Sequence, residues 1–171
     1  MKLTKLFLLL ASISALVISS DGSALAGTAT KSLAVGVTVK NNCTITTTAV
    51  TFPDYDPTTG TVVDSNAGSV NITCSKGAVT PIGLGLGAGH DGNQRQMKGP
   101  GLTGTDALKY ELYKDTGRTA VWGNATPDWN TPAASPGSKT EVAVLVYGQI
   151  AADQEVTVGA YSDTVVATVN F

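Results

Sequence analysis

Charged, aromatic and sulfur-containing side chains are all scarce in this 171-residue chain. Charged residues make up 14% of the sequence and aromatic residues 6%, and His90 is the single histidine. No basic patch stands out among eleven basic and thirteen acidic residues, so we expect no nucleic-acid partner.

Candidate catalytic and ligand-binding residues are equally few. His90 lies in the turn-like segment 87–93 (GAGHDGN), and no G-x-S-x-G motif accompanies it. The alternating glycines of residues 83–89 do not have the spacing of the common phosphate-binding loops, and no two carboxylates are marked out as a glycosidase pair. We therefore expect no enzyme activity, no cofactor and no metal site.

The one long hydrophobic run lies at the N-terminus. A basic start (MKLTK) precedes residues 6–18, which are apolar except for two serines and are too short to span a bilayer as a helix. Residues 24–26 (ALA) fit a signal-peptidase cleavage pattern. We predict a signal peptide at residues 1–26, whose removal leaves 145 of the 171 residues, the size of one domain, with no membrane span.

The mature chain contains two cysteines, Cys43 and Cys74. An even number of cysteines in an exported protein favours a disulfide, and His90 is the only other soft metal ligand available. We predict a disulfide between Cys43 and Cys74.

Short alternating apolar runs, separated by Gly, Pro, Asn and Asp, predict an all-β protein with about eight strands. A disulfide-bridged sandwich fits this pattern better than a barrel. The predicted strands are residues 33–40, 44–52, 69–75, 79–86, 107–113, 121–122, 140–150 and 164–171.

Both ends of the mature chain carry clear period-two alternation. The first alternating row is Leu33, Val35, Val37 and Val39. The second row is Val165, Ala167, Val169 and Phe171. Terminal strands are often sheet edges, and apolar edges pair with other chains, so the pattern suggests subunits that join by lending a strand.

Six segments, in order along the mature chain, resemble motifs of the spore coat protein U family. They are residues 52–57 (FPDYDP), 70–74 (VNITC), 95–97 (RQM), 108–113 (LKYELY) with 121–123 (VWG), 146–150 (VYGQI) and 159–165 (GAYSDTV). Pro53 departs from the glycine that the family usually has there.

This family includes pilin subunits of archaic chaperone–usher pili in Gram-negative bacteria. The resemblance implies an immunoglobulin-like, pilin-type β-sandwich that lacks one strand. It also implies delivery through the periplasm by a chaperone to an outer-membrane usher, and assembly into a cell-surface fimbrium by donor-strand complementation. Surface adhesion and biofilm formation are the roles that follow from it.

Applied to this sequence, the resemblance implies a donor strand at residues 27–40 and a pilin domain at residues 41–171. The alternating row Leu33, Val35, Val37 and Val39 would fill the groove of an identical or homologous subunit. The row Val165, Ala167, Val169 and Phe171 would form one wall of the acceptor groove and the strand that binds the chaperone. We expect Phe171 to present its ring and carboxylate to that chaperone.

Two other functions remain open at this point. One is a spore-coat or extracellular matrix protein whose own N-terminal strand completes its own sandwich. The other is a carbohydrate-binding adhesin module, for which Trp129 in the Pro-rich loop is the better candidate contact, while Trp122 is predicted to lie in the core.

Overall fold

A computed structural model of the chain describes residues 27–100 and 106–171. The predicted signal peptide, residues 1–26, lies outside the described residues. The chain divides after Val37, so residues 27–37 form one unit and residues 38–171 form the folded domain. Each unit is described by itself.

The folded domain is built from strands, and its described residues contain no helix, so none that could cross a membrane. The all-β prediction is confirmed. The strands are β1 (Cys43–Thr48), β2 (Val63–Asp64), β3 (Gly68–Cys74), β4 (Ile82–Leu84), β5 (Arg95–Lys98), β6 (Ala107–Tyr113), β7 (Val142–Ile150) and β8 (Ala167–Val169).

The strands form two antiparallel sheets. The larger sheet has the order β1-β3-β7-β6-β5, with β2 added beside β7, and the smaller sheet pairs β4 with β8. Period-two alternation explains which face is buried: Val70, Ile72 and Cys74 of β3 and Val144 and Val146 of β7 point into the core. This arrangement is consistent with the predicted immunoglobulin-like pilin fold.

Trp122 lies at the centre of the core, as predicted, and its indole Nε1 donates to the carbonyl of Ile82 over 2.8 Å. The equally buried Arg95 donates to the carbonyls of Leu84 and Trp122, each over 2.8 Å, and forms an ion pair with Glu111. A buried charge is tolerated when it is paired and fully hydrogen-bonded. Arg95 therefore fastens β5 to the end of β4 and to β6.

The predicted disulfide is confirmed. Cys43 of β1 and Cys74 of β3 are directly opposite in the strand register, and their sulfur atoms are bonded at 2.08 Å. Among the residues that the structure describes, β1 pairs only with β3, so this bond fixes a strand at the edge of the sheet.

The strand prediction at residues 121–122 was wrong, since Val121 forms only an isolated bridge to Tyr113. Residues 33–40 pair with no strand among the described residues, and their role as a donor strand stays a prediction. β2 and β5 were missed, since both lie outside the predicted strands. β5 has little apolar alternation because buried Arg95 and Gln96 occupy it, so its period is hidden.

Candidate functional site

The outer edge of β1 has free backbone groups. The Ser75 N–H donates to the Asn42 carbonyl over 2.9 Å, which identifies these two residues as a hydrogen-bonded pair of the antiparallel ladder. Such pairs recur at every second residue, so the backbone groups of Cys43, Ile45 and Thr47 point away from β3. In the described part of the chain, no strand pairs with that side of β1.

The side chains of β1 show the same incompleteness. Ile45 lies directly opposite Ile72 in the register and therefore on the core-facing side of the sheet. Ile72 is 3% exposed, whereas Ile45 is 40% exposed. Thr47, on the same face as Ile45, is also exposed. The core face of the sheet thus continues onto β1, where the described residues leave Ile45 and Thr47 exposed.

A second free edge belongs to the C-terminal segment. The Gly85 N–H donates to the Val166 carbonyl over 2.9 Å, which places the backbone of Val166 toward β4. By alternation, the backbone groups of Val165, Ala167 and Val169 point to the opposite side. The small sheet has two strands only, so no strand occupies that side among the described residues.

A groove of about 920 Å³ lies between two chain segments of the folded domain. Residues 47–55, which continue β1, form one wall, and residues 156–165 with Ala167 form the other. Its apolar floor is part of the hydrophobic core and consists of Val70, Leu84, Leu108, Tyr110, Leu112, Val146 and Ile150. These floor residues are themselves buried, with 2 to 6% of their surface exposed, so the groove lies directly against the core.

The predicted groove residues divide into two pairs. Val165 and Ala167 line the groove. Val169 packs against the core without lining the groove, and Phe171 is exposed. The wall at residues 47–55 was not identified from the sequence. Its only signal was the FPDYDP segment, which was used for the family resemblance and not for the groove.

The C-terminal wall is held by specific hydrogen bonds. The Tyr110 hydroxyl, in the floor, donates to Asp163 Oδ2 over 2.7 Å, and Asp163 Oδ1 accepts the Gly89 N–H over 2.9 Å. Burial, followed by the bond to the Asp163 carboxylate, raises the pKa of Tyr110. Ser162 and Lys98 exchange two backbone bonds of 2.9 and 3.1 Å, which attach the wall to β5.

The remaining candidate residues lie elsewhere. Trp129 is half-buried, and its indole Nε1 lies 3.1 Å from the position a Cβ on Gly83 would take, so its ring packs on the glycine face of β4. His90 is exposed, and its Nδ1 accepts the Gly92 N–H within the same turn. Across the residues that the structure describes, no group of three His, Cys, Asp or Glu side chains is placed to bind a metal.

The predicted donor residues are exposed. Leu33, Val35, Val37 and Val39 are each 83 to 90% exposed. Such a row of four apolar side chains at every second position resembles one face of a strand more than it resembles a soluble loop.

Comparison with known proteins agrees with this geometry. The family model for the spore coat protein U domain matches residues 29–168. Protein U of Myxococcus xanthus is 34% identical over 161 residues, which cover 85% of this chain and 87% of that protein.

A solved structure is also similar: the CsuC–CsuE chaperone–tip adhesion subunit pre-assembly complex from the archaic chaperone–usher Csu pili of Acinetobacter baumannii. The match has a TM-score of 0.55 and 26% identity, and covers 78% of this chain. This chain spans only 41% of the length of the matched chain. The extent of the family match, together with the relationship to Protein U, shows that this chain belongs to the spore coat protein U domain family.

Proposed function

We propose that this chain is a structural subunit of a chaperone–usher type pilus, and that the groove accepts the N-terminal donor strand of another copy. The groove itself is the observation that carries the proposal. It combines an apolar floor that belongs to the core with two backbone edges, at β1 and at the C-terminal segment, that pair with no further strand among the described residues. A single added strand would satisfy both edges and cover the floor, as in other cases of strand addition.

The similarity to the Csu complex supports this proposal, because that structure contains a pilus subunit held by a chaperone before assembly. By analogy, a periplasmic chaperone and an outer-membrane usher are the partners we propose for this chain. In this scheme the chaperone binds the face that carries Val165, Ala167, Val169 and Phe171, and Phe171 anchors the contact. The product would be a fimbrium on the surface of a Gram-negative bacterium.

The proposed donor strand has enough apolar surface to make a stable junction. Burial of a large apolar side chain contributes roughly 1.5–3 kcal/mol, so the four residues Leu33, Val35, Val37 and Val39 would contribute about 6–12 kcal/mol before the cost of ordering them. That range is comparable to the stability of a whole domain. A head-to-tail contact of this kind does not close on itself, so it generates a filament. Adhesion and biofilm formation are the roles we propose for such a filament.

The mature protein provides a direct test. Residues 27–171 should form a ladder of oligomers that resists mild denaturant, and removal of residues 27–40 should abolish the ladder. The truncated protein should still bind a strand supplied in trans by the intact protein. If residues 27–171 remain monomeric at all concentrations with or without the chaperone, the pilus proposal is wrong.

The relationship to Protein U favours a second candidate, a spore-coat or matrix protein in which residues 27–40 fill the groove of the same chain. The same experiment separates the two. Self-complementation predicts a monomer whose thermal stability falls sharply when residues 27–40 are removed, whereas strand exchange predicts oligomers.

A further inference from the structure

One end of the groove is bridged by a side chain. The Gln154 N–H donates to the Tyr55 hydroxyl oxygen over 2.8 Å, and the same hydroxyl lies 3.4 Å from the Gln154 carbonyl. Tyr55 belongs to the wall at residues 47–55, and Gln154 lies two residues before the wall at residues 156–165. The two walls are therefore joined at this end through the phenol ring of Tyr55.

Gln154, which bonds the Tyr55 hydroxyl, is itself held in place by hydrogen bonds. The Gln154 side chain accepts the Lys109 N–H over 2.7 Å and donates to the Lys109 carbonyl over 2.9 Å, as an added strand would. Asp153, the residue before Gln154, has a φ of 56°. This left-handed backbone conformation turns the chain and places Gln154 beside Lys109. The bridge thus rests on β6, a strand in the middle of the main sheet.

The opposite end of the groove has no equivalent. There β1 and the C-terminal segment present free backbone edges, and the described residues form no bridge between them. Adjacent strands in a sheet lie about 4.8 Å apart, so two walls that leave room for one strand between them are about 10 Å apart. A tyrosine side chain on one wall spans that distance when its hydroxyl bonds the other wall. A strand is free to extend past the open end and meets the Tyr55 ring at the other.

The side chains of the donor row do not by themselves fix the register in which the strand would enter the groove. Its side chains read Leu33, Val35, Val37 and Val39, so a shift of two residues replaces valine by valine at neighbouring positions of the groove. A one-residue shift would turn the valines outward and is excluded by burial, but a two-residue shift keeps the same face inward. A contact other than side-chain packing is therefore needed to favour one register over the register shifted by two residues.

We propose that Tyr55 and Gln154 form an end stop that fixes the register of the strand entering the groove. This inference rests on the proposed function, because it concerns the same groove. The Tyr55 hydroxyl holds the ring across the groove, and the end of the inserted strand abuts it. Tyr55 and Gln154 act here as positioning residues.

The test uses polymers of the full mature chain with photo-leucine in place of leucine. Irradiation cross-links Leu33 of one copy to groove residues of the next, and isotope-mixed copies identify intermolecular products by mass spectrometry. Tyr55→Phe removes the hydroxyl and keeps the ring. Tyr113→Phe is the matched control, since Tyr113 is the last residue of β6 and does not line the groove.

We expect one set of Leu33 cross-links in the unaltered protein and in Tyr113→Phe. Tyr55→Phe should add products shifted by two residues, and its strand should be displaced by competing subunits up to about tenfold faster, as loss of one hydrogen bond implies. Gln154→Gly, which loosens the receiving residue, should act in the same direction. An unchanged single register and unchanged displacement rate in both variants would overturn the end stop alone. Absence of any intermolecular Leu33 product in the unaltered protein would overturn the proposed function as well.

Discussion

Ile45 and Ile72 face each other across the β1–β3 ladder, on the same side of the sheet, yet only Ile72 is buried. Opposite residues on one face of a sheet normally share the same environment. The contrast shows that the sandwich is closed over β3 and open over β1.

Because Ile72 is buried and Ile45 is not, substitution by alanine should lower the free energy of unfolding by different amounts at the two positions. Ile72→Ala should lower the free energy of unfolding of the monomeric protein by about 2–5 kcal/mol, since it leaves a cavity in the core. Ile45→Ala should cost less than about half as much, because its side chain is already in partial contact with water. Urea unfolding of the monomeric fraction measures both. In assembled polymers, Ile45→Ala and Ile72→Ala should lower the free energy of unfolding by similar amounts. A persistent difference between them would show that nothing covers Ile45 on assembly.

Val37→Asp should prevent polymerisation, because it brings an unpaired carboxylate onto the apolar floor of the groove. The variant should still accept a strand from the unaltered protein and so terminate growing chains. Val62→Asp is the control, since Val62 is exposed and lies outside the groove lining. Size-exclusion chromatography of each variant, alone and mixed with unaltered protein, gives the result. Normal polymers of Val37→Asp would refute the donor assignment.

Loss of the disulfide should loosen the β1 wall selectively. Replacing both Cys43 and Cys74 with alanine should cost roughly 3.5–4 kcal/mol for a bond that joins residues 31 apart in sequence. Hydrogen exchange of β1 amides should accelerate more than that of β7 amides, because β3 is the only strand that pairs with β1 in the described part of the chain. Mass-spectrometric exchange at peptide resolution is the measurement. Equal acceleration in both strands would contradict the role assigned to the bond.

Tyr110 should make the stability of the domain fall at alkaline pH. Its pKa is raised in the folded state by burial and by the bond to Asp163. Above about pH 10 the unfolded chain therefore loses the phenolic proton before the folded chain does, and the free energy of unfolding decreases as pH rises. Urea unfolding should show a shallower decrease for Tyr110→Phe. Tyr113 and Tyr161 also have raised pKa values and contribute to the decrease in both proteins. The difference between the stability curves of the unaltered protein and Tyr110→Phe therefore isolates the contribution of Tyr110. Parallel curves would show that Tyr110 is not responsible.

Removal of Phe171 should weaken capture by the periplasmic chaperone by about tenfold or more, the effect expected for loss of one large apolar side chain at an interface. Val166→Ser is the control, because Val166 is exposed on the same segment while its backbone is turned toward β4. Co-purification of each variant with the chaperone compares them. Undiminished capture without Phe171 would reject its anchoring role.

Sequence alternation located most of the strands but missed two of them. β6 was predicted with its observed ends, and β3 and β7 to within two residues, because their buried rows alternate with polar residues. β5 was missed because its buried residues are the polar Arg95 and Gln96, whose burial depends on hydrogen bonds to other segments, such as those to the Gly85 carbonyl and to Asp91. β2, with two residues, is too short to produce a period.

The amino-acid sequence alone determined the all-β class, the Cys43–Cys74 bond, the family and the two alternating terminal rows. These properties depend on composition and on local spacing, which can be read directly. Only the tertiary structure decided that residues 47–55 form the second wall and that Tyr55 meets Gln154 at the groove end. These features depend on strand order and on contacts between residues about a hundred positions apart, and no local pattern encodes which edges a fold leaves unpaired.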